Sequence, residues 1–489
     1  MLDAYLICMS KHIHIVGIAG VGTSALAVAL HNAGYKVTGS DKGFFPPVST
    51  ALEKSHIEFY PGFHPEKMGT PEIVIAGGSG TSDQNPEFIH AKENKIQVMS
   101  LAEAVGKFVV KKHSVVTAGT WGKTSSAALL SYILSEAGYD PSYFFGGLSL
   151  SHPNGKISES NWSVVEGDEY QSAIWDKNPK FHYYNPTHLL LTSVAWDHAD
   201  LYPTEESYFR VFERLISKVD FIVACKDSDG VRKTTGDKKV IWYGKLEDGD
   251  EAKMHPIASK TRHFPSKEGK MDTPMPDYVY SGVKQTKDGL DFMINGTRIL
   301  SPLLGTFQAE NITACYTLAR ELGIQEETIV KSISEFQGLK RRMEKRHENK
   351  VAIIDDIAHS ADKVRHTLAE LKNIYDGKII AIFEPNTGGR KKASVASYEN
   401  CFKDADMVII PRLTKLKRNN AETKDEFIEG EKLAEIIGNF HKNTKYMGND
   451  DELVSYAVET SKPGDCIVFL GSHGFRGMIE ETVEEISGI

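Results

Sequence analysis

The sequence predicts an α/β protein of three domains. An N-terminal Rossmann-like domain spans 12–109, a central phosphate-loop domain with a small β-rich edge spans 110–338, and a C-terminal Rossmann-like domain spans 339–489. Three observations carry this. Two separate strand–glycine loop–helix units occur, beginning at His12 and at Ser114. A further series of apolar runs alternates with helical segments after Gly338. The length of 489 residues, at ~150 residues per domain, gives about three domains.

In the first region His12-Ile13-His14-Ile15-Val16 reads as a strand entering Gly17-Ile18-Ala19-Gly20-Val21-Gly22. A helix follows through Ser24, Leu26, Val28 and Leu30 to Gly34, and a second strand, Lys36 to Gly39, ends at Ser40-Asp41. Such a β-α-β unit lets backbone approach a diphosphate at the helix start, and an acid about 20 residues on suits a ribose. The spacing is G-x-x-G-x-G, which also fits a tight turn under a packed helix. Glu72 to Ala76 is a further strand, leading into a Gly/Ser loop at Gly77 to Ser82.

The second unit is more specific. Strand Ser114-Val115-Val116 precedes Thr117-Ala118-Gly119-Thr120-Trp121-Gly122-Lys123-Thr124-Ser125, and helical spacing follows through Ala127, Leu130 and Ile133 to Gly138. Loop amides and the positive helix N-terminus face an anion, Lys123 neutralises β- and γ-phosphates, and the Thr124 hydroxyl suits Mg²⁺. These features predict ATP or GTP binding. Glu166, Asp168 and Glu169 follow the strand-like run at 162–165, and His198 follows the strand His188–Val194. Strand ends in such sheets point at the ligand crevice. An acid and an imidazole there would complete a second metal site, although a lone His in such a place more often caps or fills the core and Mg²⁺ prefers oxygen. Residues ~226–300 are turn-rich with short alternating runs, expected as small strands at a domain edge.

In the third region the strands are Val351–Ile354, Lys378–Phe383, Met407–Ile410 and Cys466–Leu470. Asp355-Asp356-Ile357-Ala358-His359 opens a helix and would position an amine or simply cap. Arg341-Arg342 would clamp a carboxylate or phosphate, or stand in solvent.

Composition narrows the class. A formal charge of −9 argues against nucleic acid as the main partner. Five scattered cysteines without Cys-x-x-Cys suggest reduced thiols rather than a disulfide framework. No apolar run approaches ~18–20 residues, so no membrane span is expected. With no cationic leader before His12, the expected location is cytoplasmic.

Taken together these residues resemble the Mur ligase superfamily of ATP-dependent amide-bond-forming enzymes of peptidoglycan assembly. The matching landmarks are the 17–22 loop, Val37 to Asp41, Asn85-Pro86-Glu87, Gly119-Thr120 with Gly122-Lys123-Thr124, Glu166 to Tyr170, Asp197-His198, Asn311, and Asp355-Asp356 with Ala358-His359. Within it the murein peptide ligase branch is most similar, on Phe45 to Thr50, Asp176-Lys177 with Lys180-Phe181, Asp197 to Leu201, and Lys340 to Glu344. That branch is related to the UDP-N-acetylmuramate–alanine ligases. Both branches lack a carbamylated lysine that others carry about 15 residues after the histidine, and here Val211-Phe212-Glu213-Arg214 stands there.

The resemblance implies the following. ATP phosphorylates the carboxylate of UDP-N-acetylmuramate, and the amine of a murein peptide attacks the acyl phosphate. Gly119, Thr120, Gly122, Lys123, Thr124 and Ser125, with Asn311 and Arg342, hold ATP. Thr124, Glu166 and His198 hold Mg²⁺, and Lys123, Glu166, His198, Arg342 and Asp356 form the catalytic set. Gly17, Gly20, Val21, Gly22 and Asp41 take the UDP moiety, with Glu169 and His359 also on the substrate. The partners are therefore small molecules, with no nucleic acid or membrane, and oligomeric state is left open. The alternative is L-alanine as the amine, or a non-catalytic ATP-binding paralogue; a nicotinamide oxidoreductase is the reading from the first glycine loop alone. Departures from the family pattern are Trp121 for a usual His, Phe307 and Gln308 near the adenine site, Ser360-Ala361, Asn386-Thr387 and Ser472-His473.

Overall fold

The computed structural model describes residues 11–45, 48–77, 84–246, 276–414 and 427–488. The expected features at Met1–Met9, Pro46-Pro47 and most of the 77–82 loop lie outside these residues. The fold is α/β with three parallel-rich sheets. By packing, the chain divides into two compact units: 1–282 with 292–300 and 309–337, and 283–291 with 301–308 and 338–489.

In the first unit, a five-stranded parallel sheet has the order β3-β2-β1-β4-β5, with β1 His12–Val16, β2 Lys36–Asp41, β3 Glu58–Pro61, β4 Ile73–Ala76 and β5 Gln97–Ser100. Helices α1 (Val21–Asn32), α2 (Val48–Lys54), α3 (Pro86–Glu93) and α4 (Leu101–Phe108) accompany it. All five residues of β1 are buried, as befits a central parallel strand covered on both faces. Ser100 starts α4 with a reciprocal capping box to Glu103. β3 and β5 carried no clear sequence signal because neither shows a long β-branched run.

The second sheet of this unit is built around β6 (His113–Ala118), flanked in parallel by Trp162–Gly167 and His188–Leu191. Phe221–Cys225 and Ile241–Lys245 continue it in parallel, and Tyr278–Thr286 with two following strands forms the expected edge. The strand at His188 ends at Leu191, three residues short of expectation. Thr192 and Ser193 lie past the strand end and bond the phosphate loop: the Thr192 hydroxyl donates to Trp121 O at 2.5 Å, and Ser193 O accepts from the Thr120 amide at 2.9 Å.

The second unit holds a six-stranded sheet in the order Glu344–His347, Ala352–Asp356, Cys466–Gly471, Ile379–Glu384, Met407–Pro411 and Thr444–Met447. The first pair is antiparallel and the rest parallel. Glu344–His347 is a strand with no apolar run to announce it. Its pairing to Ala352–Asp356 explains the charges: Arg346 turns to Glu344, Asp355 and Glu480.

Candidate functional site

The 119–122 loop joins β6 to α5 (Lys123–Glu136). Gly119 has φ 137° and Gly122 φ 82°, regions that favour glycine. Space excludes a side chain as well: a Cβ on Gly119 would lie 2.3 Å from Thr192 Oγ1, and one on Gly122 2.4 Å from Asn311 Oδ1. The Thr120 hydroxyl bonds both backbone groups of Ala195 at 2.9 Å and meets Tyr208 OH at 3.0 Å. The Trp121 amide donates to Ser193 Oγ at 2.9 Å, and its carbonyl accepts from Thr192 and Ser193 hydroxyls. Backbone, not the indole, thus ties position 121 into the loop, and the ring is 63% exposed. The resulting shape is a loop clamped from below with the first amides of α5 above it, which is a cradle for phosphate.

Lys123 and Glu169 form the centre of charge. The ammonium lies 3.2 and 3.0 Å from the two Glu169 oxygens and donates to Thr120 O at 3.2 Å. Glu169 is 1% exposed, accepts from Tyr208 OH at 3.2 Å, and faces His198 Nε2 at 3.5 Å. The bond to Glu169 pushes the His198 imidazole above its ordinary pKa, against the opposing effect of burial. His198 itself sits at φ 54°, and its carbonyl accepts from the Leu201 and Tyr202 amides. Thr124 Oγ1 donates to Glu166 Oε1 at 2.7 Å, while Glu166 Oε2 takes the Gly146 amide at 2.6 Å. Asp168 turns away to Lys180 at 2.5 Å.

Glu166 and His198, expected together on a metal, therefore have different partners: Glu166 goes with Thr124, and His198 with Glu169. Among the described residues, Glu166, Glu169 and His198 do not bring three ligand atoms within 4.8 Å of one another; Cys225, Asp227 and Glu310 do, unforeseen from sequence. The residues at the loop nevertheless suit Mg²⁺. A hydroxyl and two carboxylates are hard oxygen donors, and the buried Glu169 Oε2 is held by the ion pair to the Lys123 ammonium at 3.0 Å. Ser125 is half-buried in the first turn of α5. Tyr208 and Thr192 are the missed members. Neither lies in a motif, and only the folded strand ends bring them to the loop.

At the first glycine loop, Gly17 has φ 82°, and Ser40 O accepts from the Gly17 and Ile18 amides at 2.8 and 3.1 Å. Asp41 Oδ2 accepts from the Ala19 amide at 2.9 Å, so this acid shapes the loop rather than only reaching beyond it. Val21 starts α1, and a Cβ on Gly22 would press on Leu101 and Phe144 at 3.3 Å, which explains that glycine by packing. Gly20 is limited by Thr23 Oγ1 at 2.8 Å from its ideal Cβ.

In the second unit, Asp356 is 7% exposed, and its oxygens accept from the Met343 amide (2.7 Å), the Ala358 amide (2.8 Å) and the Thr367 hydroxyl (3.3 Å). Burial pushes its carboxyl up, with those bonds opposing. It organises the turn that presents Arg342, which is exposed, and His359, whose Nδ1 bonds Ile357 O at 2.7 Å. Arg341 is instead drawn inward to Asp355 and the carbonyls of Gly471, Ser472 and His473. At the Ser472-His473 departure Arg341 uses only the backbone carbonyls.

Residues 12–113 match the Mur ligase family, catalytic domain, and residues 341–473 match the Mur ligase, glutamate ligase domain. A UDP-N-acetylmuramate–L-alanine ligase of Rhizobium etli is 27% identical over 98% of this chain and 97% of its own. One from Rhodospirillum centenum is 27% identical over 98% and 95%. Among solved structures, the UDP-N-acetylmuramate-alanine ligase of Thermotoga maritima aligns with TM-score 0.75 at 21% identity, covering 98% of this chain and 99% of that one. A murein peptide ligase of Psychrobacter arcticus gives 0.65 at 21% over the same shares. The chain belongs to the Mur ligase superfamily of ATP-dependent, amide-bond-forming ligases.

Proposed function

We propose that the protein joins UDP-N-acetylmuramate to L-alanine at the expense of ATP, in peptidoglycan synthesis. The sequence alone favoured a murein tripeptide as the amine. Full-length relatives that are alanine ligases favour the alternative, and the observation that carries the reading is their 94–98% coverage of this chain together with the Lys123–Glu169–His198 cluster at the phosphate loop.

In this reading a carboxylate oxygen of the muramate attacks the γ-phosphorus and ADP leaves. The amine then attacks the acyl carbon, loses a proton, and phosphate departs. Lys123 moves from Glu169 to the anionic phosphates, which compete for its ammonium. The amides of Gly122, Lys123 and Thr124, at the start of α5, hold the phosphates in line, so catalysis rests on positioning and charge neutralisation. Bound Mg²⁺ would supply further neutralisation of phosphate charge, held by Thr124 and Glu166 at one position and by Glu169 and His198 at another. Asn311 borders the loop at Gly122 on the nucleotide side. The segments 12–109, 110–338 and 339–489 would carry the UDP-sugar, ATP and amine respectively, with Gly17, Gly20, Val21, Gly22 and Asp41 at the diphosphate, and Arg342, Asp356 and His359 on the third.

The test is phosphate release from ATP with Mg²⁺ and UDP-N-acetylmuramate, comparing L-alanine, L-Ala-γ-D-Glu-meso-diaminopimelate and no amine. Dependence on L-alanine, with UDP-N-acetylmuramoyl-L-alanine by mass, is expected. Dependence on the tripeptide alone would restore the murein peptide reading.

A further inference from the structure

Glu87 belongs to the Asn85-Pro86-Glu87 motif but has no part in the chemistry above. It is fully buried, 0% exposed, at the start of α3, where Asn85 caps the helix by accepting from the Glu87 and Phe88 amides. A buried carboxylate needs donors on every lone pair to remain charged. Glu87 has four. Oε1 accepts from Tyr60 OH and from the His64 amide, both at 2.7 Å. Oε2 accepts from the Ser40 hydroxyl and faces His14 Nε2 at 3.4 Å. Burial raises its pKa, yet the bonds from His14, Ser40, Tyr60 and the His64 amide outweigh it and bring the carboxyl below the usual range.

These donors come from separate places in the chain: β1 gives His14, the end of β2 gives Ser40, the end of β3 gives Tyr60, and the following turn gives the His64 amide. Ser40 is the link to the glycine loop. Its hydroxyl is held by Glu87 while its carbonyl accepts the Gly17 and Ile18 amides, and neighbouring Asp41 takes the Ala19 amide. Three successive loop amides are thus spent on the Ser40-Asp41 edge. The loop is left in a shape that presents the first turn of α1, beginning at Val21, to an anion. Thr38 continues the network behind, meeting His14 Nδ1 at 2.8 Å and His12 Nε2 at 2.9 Å.

We propose that Glu87 is a positioning residue for the nucleotide diphosphate of the sugar substrate, acting through Ser40 on the 17–22 loop. The inference rests on the reading of this region as the UDP site. It also makes a chemical distinction, because glutamine matches the shape of Glu87 but turns an NH₂ group toward donors. The Ser40 and Tyr60 hydroxyls can rotate to accept; the His64 amide cannot.

The experiment measures UDP affinity by calorimetry and steady-state kinetics for wild type, Glu87→Gln and Ser40→Ala, with exposed Glu93→Gln as control. Wild type and Glu93→Gln bind UDP alike. Glu87→Gln weakens UDP and raises KM for UDP-N-acetylmuramate about tenfold, while kcat at saturating substrate and KM for ATP stay within about twofold. A merely structural role would lower kcat through loss of active protein and leave the UDP Kd of the folded fraction unchanged, which would overturn the proposal. Should Glu87→Gln not fold, Ser40→Ala decides: it retains the carbonyl for Gly17 and Ile18, and unchanged UDP affinity overturns the proposal. Wild type failing to bind UDP defeats the functional reading itself, and the proposal with it.

Discussion

Gly122 offers a perturbation whose cost can be divided into backbone and contact parts. Gly122 and Gly138 flank α5 with nearly the same φ, 82° and 80°. Alanine at either must adopt a left-handed conformation, costing about 1–2 kcal/mol. They differ in surroundings. A Cβ on Gly138 meets nothing within 4 Å, whereas one on Gly122 would lie 2.4 Å from Asn311 Oδ1, against ordinary contact beginning at 3.4 Å. The Asn311 amide must therefore retreat by about 1 Å, and Asn311 is only 8% exposed. Gly138→Ala is expected to lower Tm without changing ATP affinity. Gly122→Ala is expected to lower Tm and also to weaken ATP by at least about tenfold, or 1.4 kcal/mol. Calorimetric titration of ATP into both variants, beside thermal melts, measures this. Equal ATP affinity in Gly122→Ala and wild type would refute the assignment of this loop and Asn311 to the nucleotide.

Further outcomes follow from the same geometry. Burial, with Asp227 nearby, pushes the Glu310 carboxyl up to about 7 from 4.5, so the folded state holds this proton more tightly than the unfolded chain. Its contribution is present below pH ~4.5 and is lost as pH rises through ~7, on the order of 3 kcal/mol at 1.36 kcal/mol per unit. Glu310→Gln is accordingly expected to be more stable than wild type at pH 8 and to lose that advantage at pH 5, read from melts at the two pH values. Trp121→His should leave Tm unchanged within the ~0.5 kcal/mol of ordinary surface substitutions, since only its backbone is engaged; a large drop would contradict this. Asn85→Ala removes the cap of α3 and should cost about 1 kcal/mol in a denaturant titration. Chelation by EDTA should abolish phosphate release and Mg²⁺ restore it, whereas activity persisting in EDTA would exclude the metal assignment.

What the sequence disclosed, and what it hid, has a common physical cause. Units made of contiguous residues were legible: β1 with the 17–22 loop and α1, and β6 with the 119–122 loop and α5, because strand, turn and helix signals lie side by side. The buried strands of the C-terminal sheet were legible as apolar runs to within a few residues. Pairings across the fold were not. Nothing local assigns His198 to Glu169 rather than Glu166, since both carboxylates leave the same strand end three residues apart. Tyr208 enters through a helix whose apolar face reads as core. Likewise Glu87 was visible as a motif member, but its role depends on donors from three strands and the turn after the last of them. The early end of the strand at Leu191 was also hidden, because Thr192 and Ser193 are drawn away by a loop some 70 residues earlier in the chain.

Activation of the sugar carboxylate by ATP as an acyl phosphate, for attack by an amine, can be followed with UDP-N-acetylmuramate carrying ¹⁸O in that carboxylate, in the presence of ATP, Mg²⁺ and L-alanine. Each amide formed is then matched by one phosphate bearing a single ¹⁸O from the carboxylate. Unlabelled phosphate, or label appearing only in the recovered sugar acid, would contradict it.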